Sequence, residues 1–373
     1  MIKLLFTLLA FTAGAALAEP VRFYLGTYTD KSPSHGIYTG TIDSITGRLG
    51  PLELATAAAN PSFLALSPDG KFLYAVTSTN GGSVAAFRVA EGGRRLEWLN
   101  DLPAGSGGCH VSVDASGKNV FVANYGGGSV ASFHTKADGS LAARVTMFRA
   151  TGSGPNPQRQ TKPYLHSTYA QPGTHRVFAC DLGTDSIWIF DLAEDTGALT
   201  PANPAAAKVP PGSGPRHLAW HPNGHFAYVN GEMGMNVSTF QIDHATGLLN
   251  LIQTLPTMPA GVDTNGMTTA EIICHPSGKW LYVSNRDVAG RSRDSIAGYA
   301  IGADGKLTWQ QDAPAGVKVP RGLGLDPAGQ WLIAAGQDDH RIVVLKVDAA
   351  TGKLSATDQT ASVGAPVCVI FAK

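Results

Sequence analysis

The sequence predicts an all-β, seven-bladed β-propeller. Three observations carry that prediction: a tight turn recurring about every 50 residues, four strand-like runs per recurrence, and an unfinished unit at each end of the chain.

The turns are Ser67-Pro68-Asp69-Gly70, Asp114 to Gly117, Gln171-Pro172-Gly173, His221-Pro222-Asn223-Gly224, His275-Pro276-Ser277-Gly278 and Asp326-Pro327-Ala328-Gly329. Pro presets φ and Gly accepts positive φ, so each reads as a hairpin connection. A short apolar strand precedes each turn and an aliphatic or aromatic strand follows it, such as Phe72 to Val76, Phe226 to Val229 or Trp280 to Val283. A third strand with period-two alternation comes next, at Ser83 to Phe87, Ser129 to Phe133, Ser186 to Phe190, Asn236 to Phe240, Ser295 to Tyr299 and Arg341 to Leu345. The fourth follows Gly-x-Leu turns at Gly47, Gly197, Gly247, Gly305 and Gly352.

Six turns define six units. The chain also begins with an orphan second strand, Phe23-Tyr24-Leu25-Gly26, and ends with an orphan first strand, Pro366 to Ile370. Pairing the two gives a seventh blade and removes the exposed edges of an open array.

Ahead of the repeats, Lys3 precedes an apolar run from Leu4 to Leu17 and the small-residue pattern Ala16-Leu17-Ala18. This reads as a secretory signal peptide over residues 1–18, with one propeller domain over 19–373, and hence as a periplasmic or secreted protein. The apolar run is shorter than the roughly 20 residues of a spanning helix, so no membrane insertion is expected after cleavage. With 28 basic and 28 acidic residues, the summed charge favours no nucleic acid or other polyanion. Cys109, Cys180, Cys274 and Cys368 fall in different repeats, in apolar runs and without CxxC spacing, and read as free thiols in the core.

The innermost strand of each blade faces the axis. Aligned on the following turn, their third residues are Phe63, His110, His166, His217, Glu271, Gly322 and Cys368, preceded by Ser62, Cys109, Leu165, Arg216, Ala270, Arg321 and Val367. The ends of the second strands reach the same face with Asn124-Tyr125, Gly231-Glu232, Asn285-Arg286 and Gly336-Gln337 among their pairs. Several titratable types at equivalent positions of one concavity point to a ligand site at the channel mouth. The rival explanation is that they bond to one another and merely hold the blades together. His221 and His275 begin turns at the opposite end and read as structural. His110, His166, His217 and Glu271 are of metal-ligand type, but neighbouring blades usually hold such groups too far apart, and no metal or other cofactor is expected. Gly126-Gly127-Gly128 lacks the Lys-Ser/Thr of a phosphate loop, and no Gly-x-Ser-x-Gly elbow occurs.

Gly26-Thr27-Tyr28-Thr29, Cys109 to Asp114, Val122 to Val130, Gly212 to Leu218, Ala270-Glu271-Ile272, Val283 to Arg286 and Pro366 to Val369 resemble the seven-bladed lactonase family that includes bacterial 6-phosphogluconolactonase and fungal carboxy-muconate lactonising enzymes. The resemblance implies catalytic roles for His166, Arg216, Glu232 and Arg286. It departs from the family's pattern at Tyr164, where relatives often carry His, and at Gly231, where they carry Asn. On this reading His166 or Glu232 is the general base, and Arg216 and Arg286 stabilise an oxyanion or hold an anionic group. His110, Asn124, Tyr125, His217, Glu271, Arg321 and Gln337 would orient the substrate. The expected partner is a small-molecule lactone, given export an unphosphorylated sugar lactone or another cyclic ester, acted on by a monomer. A lactonising cycloisomerase and a non-catalytic periplasmic binding or scaffold propeller are the alternatives. The mark of the last would be a ring whose polar groups are fully paired with each other.

Overall fold

The computed structural model describes residues 20–244 and 246–372; the expected signal peptide lies outside them. Seven four-stranded antiparallel sheets form the ring of a β-propeller. Taking blades in chain order, the first strands of blades one to six are Phe63–Leu66, Gly108–Val113, Leu165–Ala170, Pro215–Trp220, Met267–Cys274 and Pro320–Leu325. The closing blade assembles as anticipated. Pro366–Phe371 pairs with Val21–Thr27, placing Cys368 opposite Gly26, and Gly36–Ile42 and Glu53–Ala57 complete the sheet.

Burial follows the strand order. The second strands Asn119–Asn124 and Phe226–Gly231 are buried at every residue, because each is covered by the blades on both faces. The outer strand Leu354–Ser362 exposes residues along its whole length. The core lies between blades: Tyr74 and Val76 of blade one pack with Val111, Val122 and Phe133 of blade two, and Phe23, Leu25 and Val369 of the closing blade pack with Trp331, Ile333 and Val344 of blade six.

Polar latches repeat on top of this packing. The buried hydroxyls of Tyr74, Tyr228 and Tyr282 donate to Gly139, Gly305 and Gly352 carbonyls of the next blade at 3.0, 3.1 and 2.7 Å. Gly352 adopts φ +70°, and a Cβ there would stand 2.3 Å from Trp280 Cγ, so the glycine permits both the turn and the close approach. His221 and His275 play a related structural part, their Nε2 atoms bonding the Gly278 and Gly329 carbonyls at 2.9 Å each. The four cysteines are free. Cys180 and Cys368 are buried, whereas Cys109 and Cys274 are partly exposed.

One register call needs correction. In the third blade Gly173 stands one place earlier in its turn than the other glycines: Thr174 N donates to Gln171 O, where Gly70 N donates to Ser67 O and Gly117 N to Asp114 O. Counting back from Gly173 therefore displaces His166 by one. Its true equivalents are Cys109, Arg216 and Arg321, and Ser167 is the equivalent of His110 and His217.

The corrected register exposes a common device. The ladder skips one residue between Gly108 and His110, Leu165 and Ser167, Pro215 and His217, and Pro320 and Gly322. The skipped residues, Cys109, His166, Arg216 and Arg321, sit in β-bulges, which re-aim side chains that a regular strand would hold in its pleat.

Candidate active site at the channel mouth

Past the bulges the axis is filled. The Phe63 ring lies 4.1 Å from His110 and 5.5 Å from His217, centroid to centroid, and His110 lies 5.3 Å from His217. These residues come from blades one, two and four, so their contact plugs the channel. His110 is 2% exposed, and its Nδ1 accepts the Thr168 N–H at 3.4 Å. Its expected place in the substrate-lining ring is thus not met; it packs in the plug.

Above the plug the bulges of blades three and four and the second-strand ends of blades four and five bring four groups together. Glu232 is the centre. Arg216 Nε donates to its Oε2 at 2.9 Å, Arg286 Nη2 lies 3.3 Å from the same oxygen, and His166 Nε2 lies 3.9 Å away. Arg216 Nη1 also donates to Ala270 O at 2.6 Å and Arg286 Nη2 to Thr269 O at 2.9 Å, so blade five anchors both guanidiniums. His166, Arg216, Glu232 and Arg286 are each 7% exposed or less.

This crowding sets the protonation states. Burial pushes the Glu232 carboxyl up, but Arg286 and Arg216 outweigh it and hold the group well below the usual carboxylate range. Glu232 is a locked carboxylate. Burial, followed by the charge of Arg216, drives His166 well below 6.5, so its imidazole is neutral at pH 7. Its Nδ1 has no hydrogen-bond partner among the described residues, and neither has Arg286 Nε. Its Nε2 faces Glu232 at 3.9 Å, beyond direct hydrogen-bond reach. Burial also brings Arg286 down to about 9.

His217 and Glu271 stand beside Arg216 as its support. His217 Nδ1 bonds Glu271 Oε1 at 2.8 Å, and Arg216 Nη1 donates to His217 Nε2 at 3.0 Å. Both imidazole nitrogens are engaged, which corrects the expectation that this residue orients the substrate: it orients Arg216. Burial pushes Glu271 up to about 7, partly offset by Arg216. Among the described residues, no three His, Cys, Asp or Glu groups are placed to share one metal ion.

The remaining expected residues divide. Tyr125 stacks at 4.8 Å on Tyr164 and 5.5 Å from His166, at the mouth. Arg321 is half-buried, its guanidinium 5.5 Å from the centre of the Tyr28 ring. Gln337 borders a hollow of about 500 Å³ lined also by Tyr28, Asn60 and Asp338. Asn124 does not belong to the ring. It is fully buried and donates to Ala104 O at 2.9 Å and Ser129 Oγ at 3.2 Å, bracing the loop within its own blade, as Asn285 does with Thr257 O and Ser295 Oγ. A larger hollow of about 520 Å³ lies at the opposite end, between the Ser67–Gly70 and Ser116–Lys118 turns, away from any cluster of reactive groups.

One site residue was missed. Arg159 Nη2 donates to Glu232 Oε1 at 2.7 Å and lies 3.5 Å from the Tyr125 hydroxyl. It comes from the connection 150–164, much longer than the equivalent 104–107 or 209–214. That length and the cations Arg159 and Lys162 were the available signal; the blade alignment, which reads only strand ends, passes over it.

A family model described as lactonase, 7-bladed beta-propeller, matches residues 22–371. The chain is 34% identical to a 6-phosphogluconolactonase of Bacillus subtilis over 93% of its own length and 97% of the relative's. It is 32% identical to a 6-phosphogluconolactonase of Formosa agariphila, covering 90% of this chain and 95% of the other. Among solved structures, a periplasmic gluconolactonase of Pseudomonas aeruginosa superposes with a TM-score of 0.87 at 28% identity, covering 95% of this chain and 99% of that one. With these matches spanning nearly every blade, the chain belongs to the seven-bladed β-propeller lactonase family.

Proposed function

We propose that this protein hydrolyses a small sugar-type lactone outside the cytoplasm, with His166, Arg216, Glu232 and Arg286 as its reacting site. The observation that carries this reading is the pairing pattern around Glu232. His166 Nδ1 and Arg286 Nε are buried beside an ionised carboxylate without partners among the described residues, so both are free to meet a ligand, and leaving such an atom unmet costs about 1 to 3 kcal/mol.

His166 is the general base. Glu232, held ionised by its arginines, is a poor proton acceptor; its charge faces Nε2, leaving Nδ1 to take a proton from water. The hydroxide formed attacks the lactone carbonyl. Arg286 and Arg216 stabilise the resulting oxyanion and then the product carboxylate, a task suited to guanidinium donors. The imidazolium returns its proton to the ring oxygen as the C–O bond breaks, so one water is consumed and a hydroxy acid leaves. Action outside the cytoplasm is supported by the Lys3 and Leu4 to Leu17 pattern and by the likeness to the periplasmic gluconolactonase of Pseudomonas aeruginosa. An exported mature protein beginning at Glu19, read by N-terminal sequencing, is the expected result, and an intact Met1 in that fraction would contradict it.

The test of the chemistry is pH-stat titration of lactone opening by an Arg216→Ala/Arg286→Ala double variant, with circular dichroism as the folding control. A fall in kcat of about 10³-fold or more is expected, given that one oxyanion donor is commonly worth about 10²–10³. Unchanged turnover would remove both arginines from the mechanism.

A further inference from the structure

The reacting groups come from blades three, four and five, so they occupy one side of the mouth. On the other side, where blade six, the closing blade and blade one meet, Tyr28 stands between two hollows of about 500 and 290 Å³ and lines both. The larger falls within the range of about 300–1,000 Å³ typical of small-molecule sites. Both adjoin the reacting site. Arg321 stacks over the Tyr28 ring at 5.5 Å from its centre, and both residues act electrostatically on Arg286. Ser62, next to the Phe63 of the channel plug, lines the smaller hollow.

Each hollow holds a buried polar atom without a partner among the described residues. In the smaller it is the hydroxyl of Thr77, a residue 5% exposed; in the larger it is Gln337 Oε1, whose amide nitrogen is spent on Asp338 Oδ1 at 3.1 Å. Buried polar atoms of this kind call for a partner from outside the chain. The walls around them are fixed. Lys31, Asn60, His340 and Ala365 line the larger hollow, and all four hold left-handed backbone with φ from +36° to +59°. Residues with a Cβ keep that conformation only where their surroundings impose it, and such places gather at binding sites. Here His340 Nδ1 accepts the Ala365 N–H and Ala365 O accepts the Tyr28 N–H, both at 3.0 Å, while Asn60 Oδ1 accepts the Thr29 N–H at 2.7 Å.

Charge selects the class of ligand. No charged residue lines the smaller hollow, and in the larger Asp30 and Asp338 stand against Lys31. An anionic group finds no surplus of cations in either. A neutral, hydroxyl-rich group finds carboxylate, amide and hydroxyl partners beside an aromatic ring, the combination that suits a sugar unit with its polar rim and C–H face.

We propose that Tyr28 and the hollows beside it form a second saccharide site, which takes a neutral sugar unit joined through a glycosidic bond to the lactone. The substrate is then a disaccharide-type lactone: the ring that opens lies at His166 and Glu232, and the neutral unit lies across the mouth at Tyr28. This rests on the proposed lactone site, but its test does not depend on turnover.

Isothermal titration calorimetry with four open-chain acids separates the possibilities: gluconate, and the same skeleton carrying a galactosyl or glucosyl unit in lactobionate, cellobionate and maltobionate. Each carries one carboxylate, so only the neutral unit differs. The wild-type protein should bind at least one of the three disaccharide acids about tenfold or more tighter than gluconate. Tyr28→Ala should bring that ratio close to one. Thr77→Val, which removes the hydroxyl and keeps the shape, and Gln337→Leu report on the two hollows, and at least one of them should lower the ratio about fivefold, the worth of one hydrogen bond. Equal affinity for all four acids in the wild type would overturn the proposal. A ratio unchanged in all three variants would also overturn it, since residues that merely support the mouth would weaken every acid alike. A disaccharide preference in a protein that opens no lactone would uphold the site and defeat the hydrolytic reading; lactone opening without any such preference would do the reverse.

Discussion

The first strands of this propeller meet histidines at both of their ends, and the two ends treat them differently. At the turn end the fold finishes them: His275 bonds the Gly329 carbonyl through Nε2 and Ser277 through Nδ1, and His221 bonds the Gly278 carbonyl and the Asn223 N–H. At the mouth end His217 is finished too, by Glu271 and Arg216, but His166, as deeply buried as His275, has Nδ1 without a partner among the described residues and Nε2 at 3.9 Å from a carboxylate that three arginines already hold. Residue type and a place on an apolar strand are shared. What separates a structural histidine from a chemical one is whether its neighbours complete its hydrogen bonds.

The largest expected effect breaks both ends together. Ending the chain at Ala365 removes the first strand of the closing blade and with it the pairing to Val21–Thr27 and the packing of Val369 against Trp331 and Ile333. Loss of the cooperative thermal transition is expected, because the ring would gain two open edges. A shortened chain that melts like the full one would contradict closure by these strands.

A smaller effect sharpens the contrast through pH. Burial, reinforced by neighbouring charge, keeps His110, His166 and His217 neutral well below 6.5, whereas the same imidazoles take up protons near 6.5 once unfolded. The unfolded state therefore binds more protons, and stability falls as pH drops below about 6.5, by about 1.4 kcal/mol per pH unit for each imidazole. Glu271 has the opposite sign. Raised from 4.5 to about 7, it binds its proton more tightly when folded and returns part of the loss across that interval. Urea unfolding from pH 8 to pH 5 should show a falling free energy with a net uptake of protons on unfolding, to which His275, also lowered by burial, adds, and the uptake should rise in Glu271→Gln. A pH-independent midpoint would mean that the three imidazoles are not held neutral.

The blade architecture was legible because its signals are local: turn chemistry, strand alternation and the complementary orphan strands at the chain ends all survive without coordinates. The convergence of His166, Arg216, Glu232 and Arg286 was legible for the same reason, since a ring converts equivalent positions into neighbours. The failures are equally physical. Gly173 occupies a different place in its turn, so alignment on glycine shifted His166, although the bulge still turns it to the mouth. Asn124 sits on a strand end, but its side chain is spent on the Ala104 carbonyl, and composition cannot reveal which face a rim residue uses. His110 and His217 proved to be plug and support because ring packing across the axis depends on three blades at once. Arg159 lies in the extended part of a connection whose counterparts 104–107 and 209–214 are far shorter, where no repeat could point to it.

The most direct test compares the two kinds of histidine in one protein. His166→Gln and His275→Gln are prepared side by side and assayed for sugar-lactone kcat and for Tm in the same buffer. The expected result is a kcat lowered about 10²-fold or more in His166→Gln, in line with loss of a general base, and a kcat within about twofold of wild type in His275→Gln with Tm reduced by a few degrees. Full turnover in His166→Gln, or a catalytic loss in His275→Gln as large as the one expected at His166, would contradict the assignment of chemistry to the unfinished end of the strands.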